Sequence, residues 1–321
     1  MKKVLLYLAL LLFILACNAD NDTIEIPKDN DLIIGVNTQR VFQTKFHPGL
    51  SEDQIIDRVA SLINQLKFNS IRIGGTASFG GTFDTIYKGF GWAKYNHIEE
   101  VRNVHPNDYS KNEPFNYNVI ALKMAQKANV SVWIDLHRYM TDEDIDYAMQ
   151  LVKDYGVTLA GVTRDNEPYV PEREEHMEAA YQEFTDSRFR NFSWPAMSVI
   201  AEGQGNDRAN RESRCIALVN QYRANDESIE IHSYVPREYT GTPKQWIQDI
   251  INDTKQAYNV TNDQIMLGEW SGKNQENFSD DEIEKIISDY LEVLQKEKIA
   301  SYYQVLGTDF DEVGLYNFEK D

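Results

Sequence analysis

The chain has 321 residues, of which 42% are hydrophobic and 26% are charged, and its formal net charge at pH 7 is −19. This composition excludes a disordered protein and allows a full-sized hydrophobic core. The acidic balance argues against nucleic acid as a partner, because phosphate binding needs clustered lysine and arginine. It also argues against a heavily sulfated substrate, although a few local arginines can override the global charge.

The N-terminal segment has the features of a targeting signal. Residues 1–16 begin with lysines and continue as a short apolar run that ends in Ile-Leu-Ala before Cys17. This run is shorter than the roughly 20 residues of a membrane-spanning helix. It resembles a bacterial lipoprotein signal, which implies a lipid on Cys17 and anchoring in the cell envelope, at the outer membrane or cell surface. An ordinary secretory signal with an incidental cysteine is the alternative, and residues 17–30 are predicted to be a polar tether.

Cys215 would be the one free thiol of a mature protein that is cleaved before Cys17 and carries a lipid on that residue. A single thiol excludes an intramolecular disulfide framework and a cysteine-rich zinc site. It lies in an apolar helical pattern, so we expect it to be a small core residue.

Residues 31–321 repeat one pattern, in which a short β-rich apolar run is followed by a polar loop and an amphipathic helix. The eight predicted strands are residues 31–36, 70–75, 130–137, 157–163, 197–203, 229–234, 264–270 and 300–306. Helices fit between them. The first of these has Ser51 as its predicted N-cap and an apolar stripe that includes Ile55 and Val59.

Strands that alternate with helices predict parallel βαβ units of the α/β class. Eight of them predict a single-domain (β/α)8 barrel, the TIM-barrel fold. The alternative is a doubly wound open sheet, but no Gly-x-Gly-x-x-Gly turn follows the first strand. In a TIM barrel the active site lies at the carboxyl ends of the strands, so polar residues at those ends are the candidates.

Two glutamates are predicted to lie on that rim. Glu167 follows the fourth strand, and Glu269 ends the seventh. Two carboxyls across a cleft are the groups that hydrolyse glycosides, since one protonates the leaving oxygen and the other attacks the anomeric carbon or activates water. Their surroundings must differ, so that one is protonated while the other is ionised. A second Asn-Glu-Pro, at residues 112–114, has no strand before it and is interpreted as a coincidence.

Further polar residues are predicted to share the rim. Arg72 ends the second strand and could hold a carboxylate in its charged form. His232 and Tyr234 occupy alternate positions of the sixth strand and so face the same side. Asp135 and His137 do the same on the third. Each has a structural alternative: Arg72 as a buried ion pair, His137 as a barrel histidine and Tyr234 as a core aromatic.

This set of residues is similar to the pattern of clan A glycoside hydrolases, which are retaining (β/α)8 enzymes. In the clan an Asn-Glu pair follows the fourth strand and a second glutamate ends the seventh. The resemblance therefore implies that Glu167 is the acid/base and Glu269 the nucleophile. It also implies that Asn166 binds the sugar 2-hydroxyl, that Arg72 supports the nucleophile, and that Tyr234 hydrogen-bonds to it.

Local motifs do not select one family of the clan. The "DLH" of the third strand resembles family 5. The combination of "IRIGGT" and "LGE" resembles families 39 and 79 to the same degree. Many clan members place a tryptophan on the eighth strand beneath the sugar, where this chain has Tyr302, Tyr303 and Gln304. Trp270, next to the predicted nucleophile, is expected either to take that role or to pack in the core.

Long aromatic-rich segments surround the predicted cleft. The longest insertion spans about residues 76–117, and Trp92 in "GFGWAKY" is its preferred sugar platform. Most of the other aromatics there are expected to anchor the loop. A second long segment follows Glu167. Long loops on the active face favour a polymer-binding groove and endo action.

The sequence thus predicts a lipid-anchored retaining hydrolase of β-linked polysaccharide or oligosaccharide that works by double displacement. No metal or organic cofactor is required for this chemistry. The main alternative is a non-catalytic glycan-binding surface lipoprotein on the same barrel. A metal-dependent hydrolase is disfavoured, because the strand ends lack clustered His and Asp ligands.

Overall fold

The computed structural model describes residues 24–25, 32–38, 41–42, 46–74, 117–136, 142–165, 167–169, 171–185, 189–190, 192–199, 206–236, 239–271, 278–304 and 306. Several predicted features lie outside these residues: the signal with Cys17, the aromatic insertion with Trp92, His137 and Asn166. Within the described ranges, no helix is long and apolar enough to cross a membrane.

Eight parallel strands close into one barrel, which confirms the predicted (β/α)8 fold. The strands are β1 Ile34–Asn37, β2 Ser70–Gly74, β3 Ser131–Leu136, β4 Leu159–Arg164, β5 Ser193–Met197, β6 Ser228–His232, β7 Ile265–Trp270 and β8 Ala300–Tyr303. Each strand pairs with the next along the chain, and β8 pairs with β1 to complete the ring. All carboxyl ends therefore meet on one rim.

Helices surround the barrel. In the described part of the chain they are α1 Glu52–Gln65, α2 Tyr117–Ala128, α3 Asp142–Asp154, α4 Met177–Phe184, α5 Asn206–Tyr222, α6 Pro243–Tyr258 and α7 Asp280–Glu297. Ser51 caps α1 as predicted, because its side chain accepts a hydrogen bond from the Gln54 backbone. A pair of two-residue strands, Ile24–Glu25 and Phe189–Arg190, lies outside the barrel. The main hydrophobic core fills the space between the strands and the helices, and Cys215 is buried in it.

The fifth strand differs from the prediction. It is β5, Ser193–Met197, and not residues 197–203. Proline lacks the N–H that a central strand donates, so Pro195 is unusual within a barrel strand. In the structure β5 pairs with β4 at only one position, Thr163 with Ser193, whereas it pairs with β6 along its whole length. The proline is tolerated because one side of the strand is almost unpaired.

The inside of the barrel is filled by large side chains that lie against glycines. Three strand glycines each face one such side chain on a neighbouring strand, where a β-carbon would overlap it: Gly35 with Tyr302, Gly161 with Trp133 and Gly268 with Glu230. Trp133, Met266 and Tyr302 form a separate small apolar cluster toward the N-terminal ends of the strands. The layer above it, at the carboxyl ends, is polar.

Candidate active site

Arg72 lies at the centre of the polar layer and is almost fully buried, with 1% of its side chain exposed. Its Nη1 donates to Glu269 Oε1 at 2.9 Å and to Asn37 Oδ1 at 3.4 Å. Its Nη2 donates to Glu230 Oε1 at 2.6 Å and to Asp135 Oδ2 at 3.1 Å. Burial alone would lower the pKa of Arg72, but the three carboxylates outweigh it and raise the pKa. The guanidinium is therefore a fixed positive charge that joins strands β1, β2, β3, β6 and β7.

Glu269 is held from both of its carboxylate oxygens. Oε1 accepts from Arg72, and Oε2 accepts from the Tyr234 hydroxyl at 3.0 Å. The His232 Nδ1 lies 3.7 Å from Oε2. Glu269 lies in β7 with 1% of its side chain exposed, so the strand and its three neighbours fix the direction of the carboxylate.

Glu167 lies in an irregular turn directly after β4. Asp165 and Glu167 both adopt left-handed backbone conformations, with φ of 68° and 49°. Such conformations are costly for residues other than glycine and are concentrated at functional sites. The Asp165 N–H donates to Leu136 O at 2.6 Å, which ties the start of the turn to β3. The turn directs the Glu167 carboxylate toward His232, with 18% of the side chain exposed.

His232 connects the two glutamates. Its Nδ1 lies 2.8 Å from Glu167 Oε1, and its Nε2 lies 3.0 Å from Glu230 Oε1. Burial would lower the pKa of His232, but the carboxylates of Glu269, Glu167 and Glu230 outweigh burial and raise the pKa to about 10. The ring is therefore an imidazolium at neutral pH, and both of its nitrogens donate.

The pKa values of the two other carboxyls that contact Arg72, Asp135 and Glu230, shift in opposite directions. Burial raises the pKa of Asp135 well above its usual range, despite Arg72, and Glu230 and other nearby carboxylates raise it further. Burial also opposes ionisation of Glu230, but Arg72, His232 and Thr163 outweigh it and lower the pKa of Glu230. The pKa of Asp135 is thus raised and that of Glu230 is lowered, although both carboxyls contact Arg72. Among the described residues no cluster of His, Cys, Asp or Glu has a geometry that could hold a metal ion.

The structure brings six of the predicted rim residues together: Arg72, Asp135, Glu167, His232, Tyr234 and Glu269. It places Trp270 elsewhere. The Trp270 indole is 2% exposed and stacks on Tyr290 of α7, with ring centroids 5.2 Å apart. It also contacts Tyr303 edge-on at 5.1 Å. The core-packing alternative therefore describes Trp270, and the sugar-platform interpretation does not fit its burial.

The eighth strand does not supply an aromatic floor either. Tyr302 is fully buried inside the barrel, where its hydroxyl lies 2.9 Å from Ser70 Oγ. Tyr303 packs against Trp270 on the outside of the strand. The aromatic side chains of β8 are therefore both buried, and neither is exposed at the carboxyl ends of the strands.

Three residues of the polar layer were missed from the sequence: Asn37, Thr163 and Glu230. Asn37 bridges β1 to β7, because its Nδ2 donates to Gly268 O at 3.2 Å. Glu230 had a readable signal. Glu230 and His232 occupy alternate positions of β6 and Tyr234 follows two residues later, so a count with period two places all three on the same face.

Comparisons with known proteins give the fold. No protein-family model matches the sequence, and a search of curated proteins gives no match. A glucosidase from Croceicoccus marinus is similar in structure, with a TM-score of 0.53, 10% identity and coverage of 92% of this chain and 65% of that one. An endo-β-1,3-glucanase of GH128 subgroup I from Amycolatopsis mediterranei, solved with laminaritriose and laminaribiose, has a TM-score of 0.50, 13% identity and coverage of 90% and 95%. An endocellulase from Pyrococcus horikoshii has a TM-score of 0.47, 14% identity and coverage of 88% and 87%. At these identities the likeness to the glucosidase and to the endo-β-1,3-glucanase shows a shared fold.

Proposed function

We propose that this chain is a retaining glycoside hydrolase that cleaves a β-linked glycan by double displacement. The observation that carries the proposal is the position of His232 between the two glutamates. His232 Nδ1 lies 2.8 Å from Glu167 Oε1 and 3.7 Å from Glu269 Oε2, so these two oxygens are at most 6.5 Å apart. Retaining enzymes have carboxyls about 5–5.5 Å apart, and inverting enzymes about 6.5–9.5 Å apart, so the bound favours retention.

The surroundings of the two glutamates support different roles. Glu269 accepts hydrogen bonds from Arg72 and Tyr234 and is buried, which suits an ionised nucleophile of fixed direction. Glu167 is partly exposed, and its Oε1 lies 2.8 Å from His232 Nδ1. A partly exposed carboxyl at the strand ends can reach a glycosidic oxygen, which suits a general acid.

In the first half-reaction Glu269 attacks the anomeric carbon while Glu167 gives its proton to the leaving oxygen. This step forms a glycosyl ester on Glu269 and leaves Glu167 ionised. In the second half-reaction Glu167 takes a proton from water, and the resulting hydroxide attacks the same carbon and releases Glu269. The anomeric configuration is inverted twice and is therefore retained.

The substrate class rests on the same chemistry and on the named neighbours. The glucosidase and the endo-β-1,3-glucanase act on glucosides, and both have this barrel. We infer a β-linked polysaccharide or oligosaccharide as the substrate of this chain, bound in an open groove and cut internally. The signal-like N-terminus supports attachment to the cell envelope through a lipid on Cys17.

The test is reducing-end release by the chain without residues 1–17, across a panel of neutral and acidic β-glycans. We expect release on at least one polymer, with oligosaccharides as the first products. Proton NMR of the earliest product should show the β-anomer before mutarotation. Glu269→Ala should abolish release.

Glu113→Ala is a matched control, because it removes the glutamate of the second Asn-Glu-Pro. It should retain the wild-type rate. Binding of a glycan without any release would replace the proposal with the glycan-binding protein. Release of the α-anomer would establish inversion, and monosaccharide as the sole early product would establish exo action.

A further inference from the structure

Glu230 is a buried carboxylate that the mechanism above does not use. It is 2% exposed and lies on β6, two residues before His232. Oε1 accepts from Arg72 Nη2 at 2.6 Å and lies 3.0 Å from His232 Nε2. The other oxygen accepts a hydrogen bond from the Thr163 hydroxyl. Partners from β2, β4 and β6 thus surround one carboxylate.

The barrel is built to accommodate this carboxylate. Trp133 Nε1 donates to Thr163 Oγ1 at 2.8 Å, so the hydroxyl is free to direct its own proton to Glu230. Gly268 of β7 lies against the carboxylate, and a β-carbon there would overlap it. The pairing of β6 with β7 also shifts register between Ile231 and His232, so that His232 faces Glu269 and Gly268 is passed over. A glycine at a register shift next to a buried acid is a specific local arrangement.

The position of His232 explains what an ionised neighbour would do. In the proposed reaction the negative charge lies on Glu269 before attack and on Glu167 afterwards. His232 Nδ1 is 3.7 Å from the first carboxylate and 2.8 Å from the second. An imidazolium at this point balances either charge without moving. A neutral imidazole could donate from one nitrogen only, and it would carry no charge.

We propose that Glu230 is a positioning residue, whose buried carboxylate holds His232 as an imidazolium between the acid/base and the nucleophile. The inference rests on the proposed function for its role in turnover, but its structural content can be tested without a substrate. Glu230 does not touch the reacting atoms. It acts through the Nε2 of His232, and the Arg72 ion pair keeps it charged.

Several charged or titratable groups act on His232 besides Glu230. They are Glu167 from the turn after β4 and Glu269 from β7, with Tyr234 after β6 acting through Glu269, Arg72 from β2 through Glu230, and Asp135 from β3 through Arg72. The two catalytic carboxylates also favour the imidazolium. Removal of Glu230 alone should therefore lower the affinity of His232 for its proton without abolishing it.

The experiment is an NMR titration of the imidazole signals in the chain without residues 1–17. His232→Gln identifies the His232 signal among the six histidines. In the wild type we expect His232 to stay protonated at pH 8 and to titrate at about 10. Glu230→Gln should lower that midpoint by about 1–3 pH units, the usual effect of losing an opposite charge at contact distance. Glu230→Asp keeps the charge and should restore most of the wild-type value.

Gly268→Ala is a second variant that removes no titratable group. Its β-carbon should displace the Glu230 carboxylate and lower the His232 midpoint in the same direction. Glu227→Gln, which alters a carboxylate that accepts from Trp194 Nε1, should leave the midpoint unchanged. A wild-type midpoint near 6.5, or an unchanged midpoint in folded Glu230→Gln, overturns the inference whether or not any glycan is cleaved. Failure of glycan release with the expected midpoints overturns the proposed function alone.

Discussion

The end of β7 and the turn after β4 each present one glutamate to the same cleft, but they hold it in different ways. Glu269 lies within β7 and has hydrogen bonds on both oxygens. Glu167 has a left-handed backbone conformation, as does Asp165 before it, and one of its oxygens lies 2.8 Å from His232 Nδ1. The position of Glu269 is thus set by the strand and its polar partners, whereas that of Glu167 is set by an irregular turn.

This difference fits the two tasks in double displacement. A nucleophile needs one direction and one charge state, which a buried strand with an arginine supplies. An acid/base must change its charge state between the half-reactions, so it needs access and a counter-charge that suits both forms. His232 contacts both ends and so couples them.

The largest expected effect on kcat is that of removing Glu269, at the end of β7. Glu269→Ala should lower kcat by about 10⁴-fold or more on every substrate, because losing a covalent nucleophile removes the whole route. Sodium azide should restore turnover and yield the α-glycosyl azide, since a small anion then attacks the emptied face once. Glu113→Ala is the control. A β-azide product would mean that the two glutamates have been assigned in the wrong order.

The next effect is at the turn. Glu167→Ala should lower kcat by about 10²–10⁴-fold on a natural glycan, the usual contribution of general acid catalysis. The loss should be much smaller on an aryl glycoside whose leaving group needs no proton. Azide should rescue the second half-reaction and give the β-glycosyl azide. Equal losses on both kinds of leaving group would contradict an acid role for Glu167.

A smaller effect on kcat is expected from the loss of one hydrogen bond to Glu269. Tyr234→Phe removes the hydroxyl that donates to Glu269 Oε2 at 3.0 Å. A hydrogen bond to a charged group contributes about 1.5–3 kcal/mol, so kcat should fall by about 10–150-fold. Tyr239→Phe, a tyrosine that packs edge-on against Trp246, is the matched control. If the two variants behave alike, the hydroxyl of Tyr234 does not orient the nucleophile.

Comparison of the two ends also shows what a sequence can predict. The strand alternation and the barrel rule were sufficient to bring Arg72, Glu167 and Glu269 to one rim, because parallel strand ends in a closed barrel must meet. The same reasoning placed His232 and Tyr234 on one face. It could not predict β5, because Pro195 hides a strand whose pairing on one side is nearly absent.

The charge network was beyond the sequence for another physical reason. Whether His232 faces Gly268 or Glu269 depends on a register shift between β6 and β7. Glu230 is ionised because its neighbours come from three strands, and those distances follow from packing and not from local pattern. The sequence did not decide whether the Trp270 side chain faces the cleft or the core, because a residue at the end of a strand can face either side.

The coupling through His232 predicts a pH dependence of stability. Its pKa is raised from 6.5 to about 10 in the folded chain, so the folded state binds this proton more tightly than the unfolded state does. The resulting stabilisation is fully present below pH 6.5 and is lost as the pH rises through about 10. Urea titrations from pH 6 to 10 should show a steeper fall in the free energy of unfolding for the wild type than for His232→Asn. His176→Asn, at an exposed histidine, should follow the wild type. Parallel curves for all three chains would contradict the raised pKa.

The smallest expected effect concerns α7, the helix after β7, where a substitution should lower the stability of the chain without changing kcat. α7 follows β7 along the chain and begins at a capping box, in which Ser279 Oγ accepts from the Glu282 N–H at 3.4 Å. Ser279→Ala should cost about 1 kcal/mol of folding free energy, the typical loss for such a cap, and lower Tm by a few degrees. Because Glu269 is oriented by Arg72 and Tyr234 and not by the cap, kcat at 25 °C should stay at the wild-type value. Ser51→Ala, in the matching box of α1, should behave in the same way. A fall in kcat for Ser279→Ala but not for Ser51→Ala would mean that α7, which stacks Tyr290 on Trp270, helps to hold the nucleophile in place.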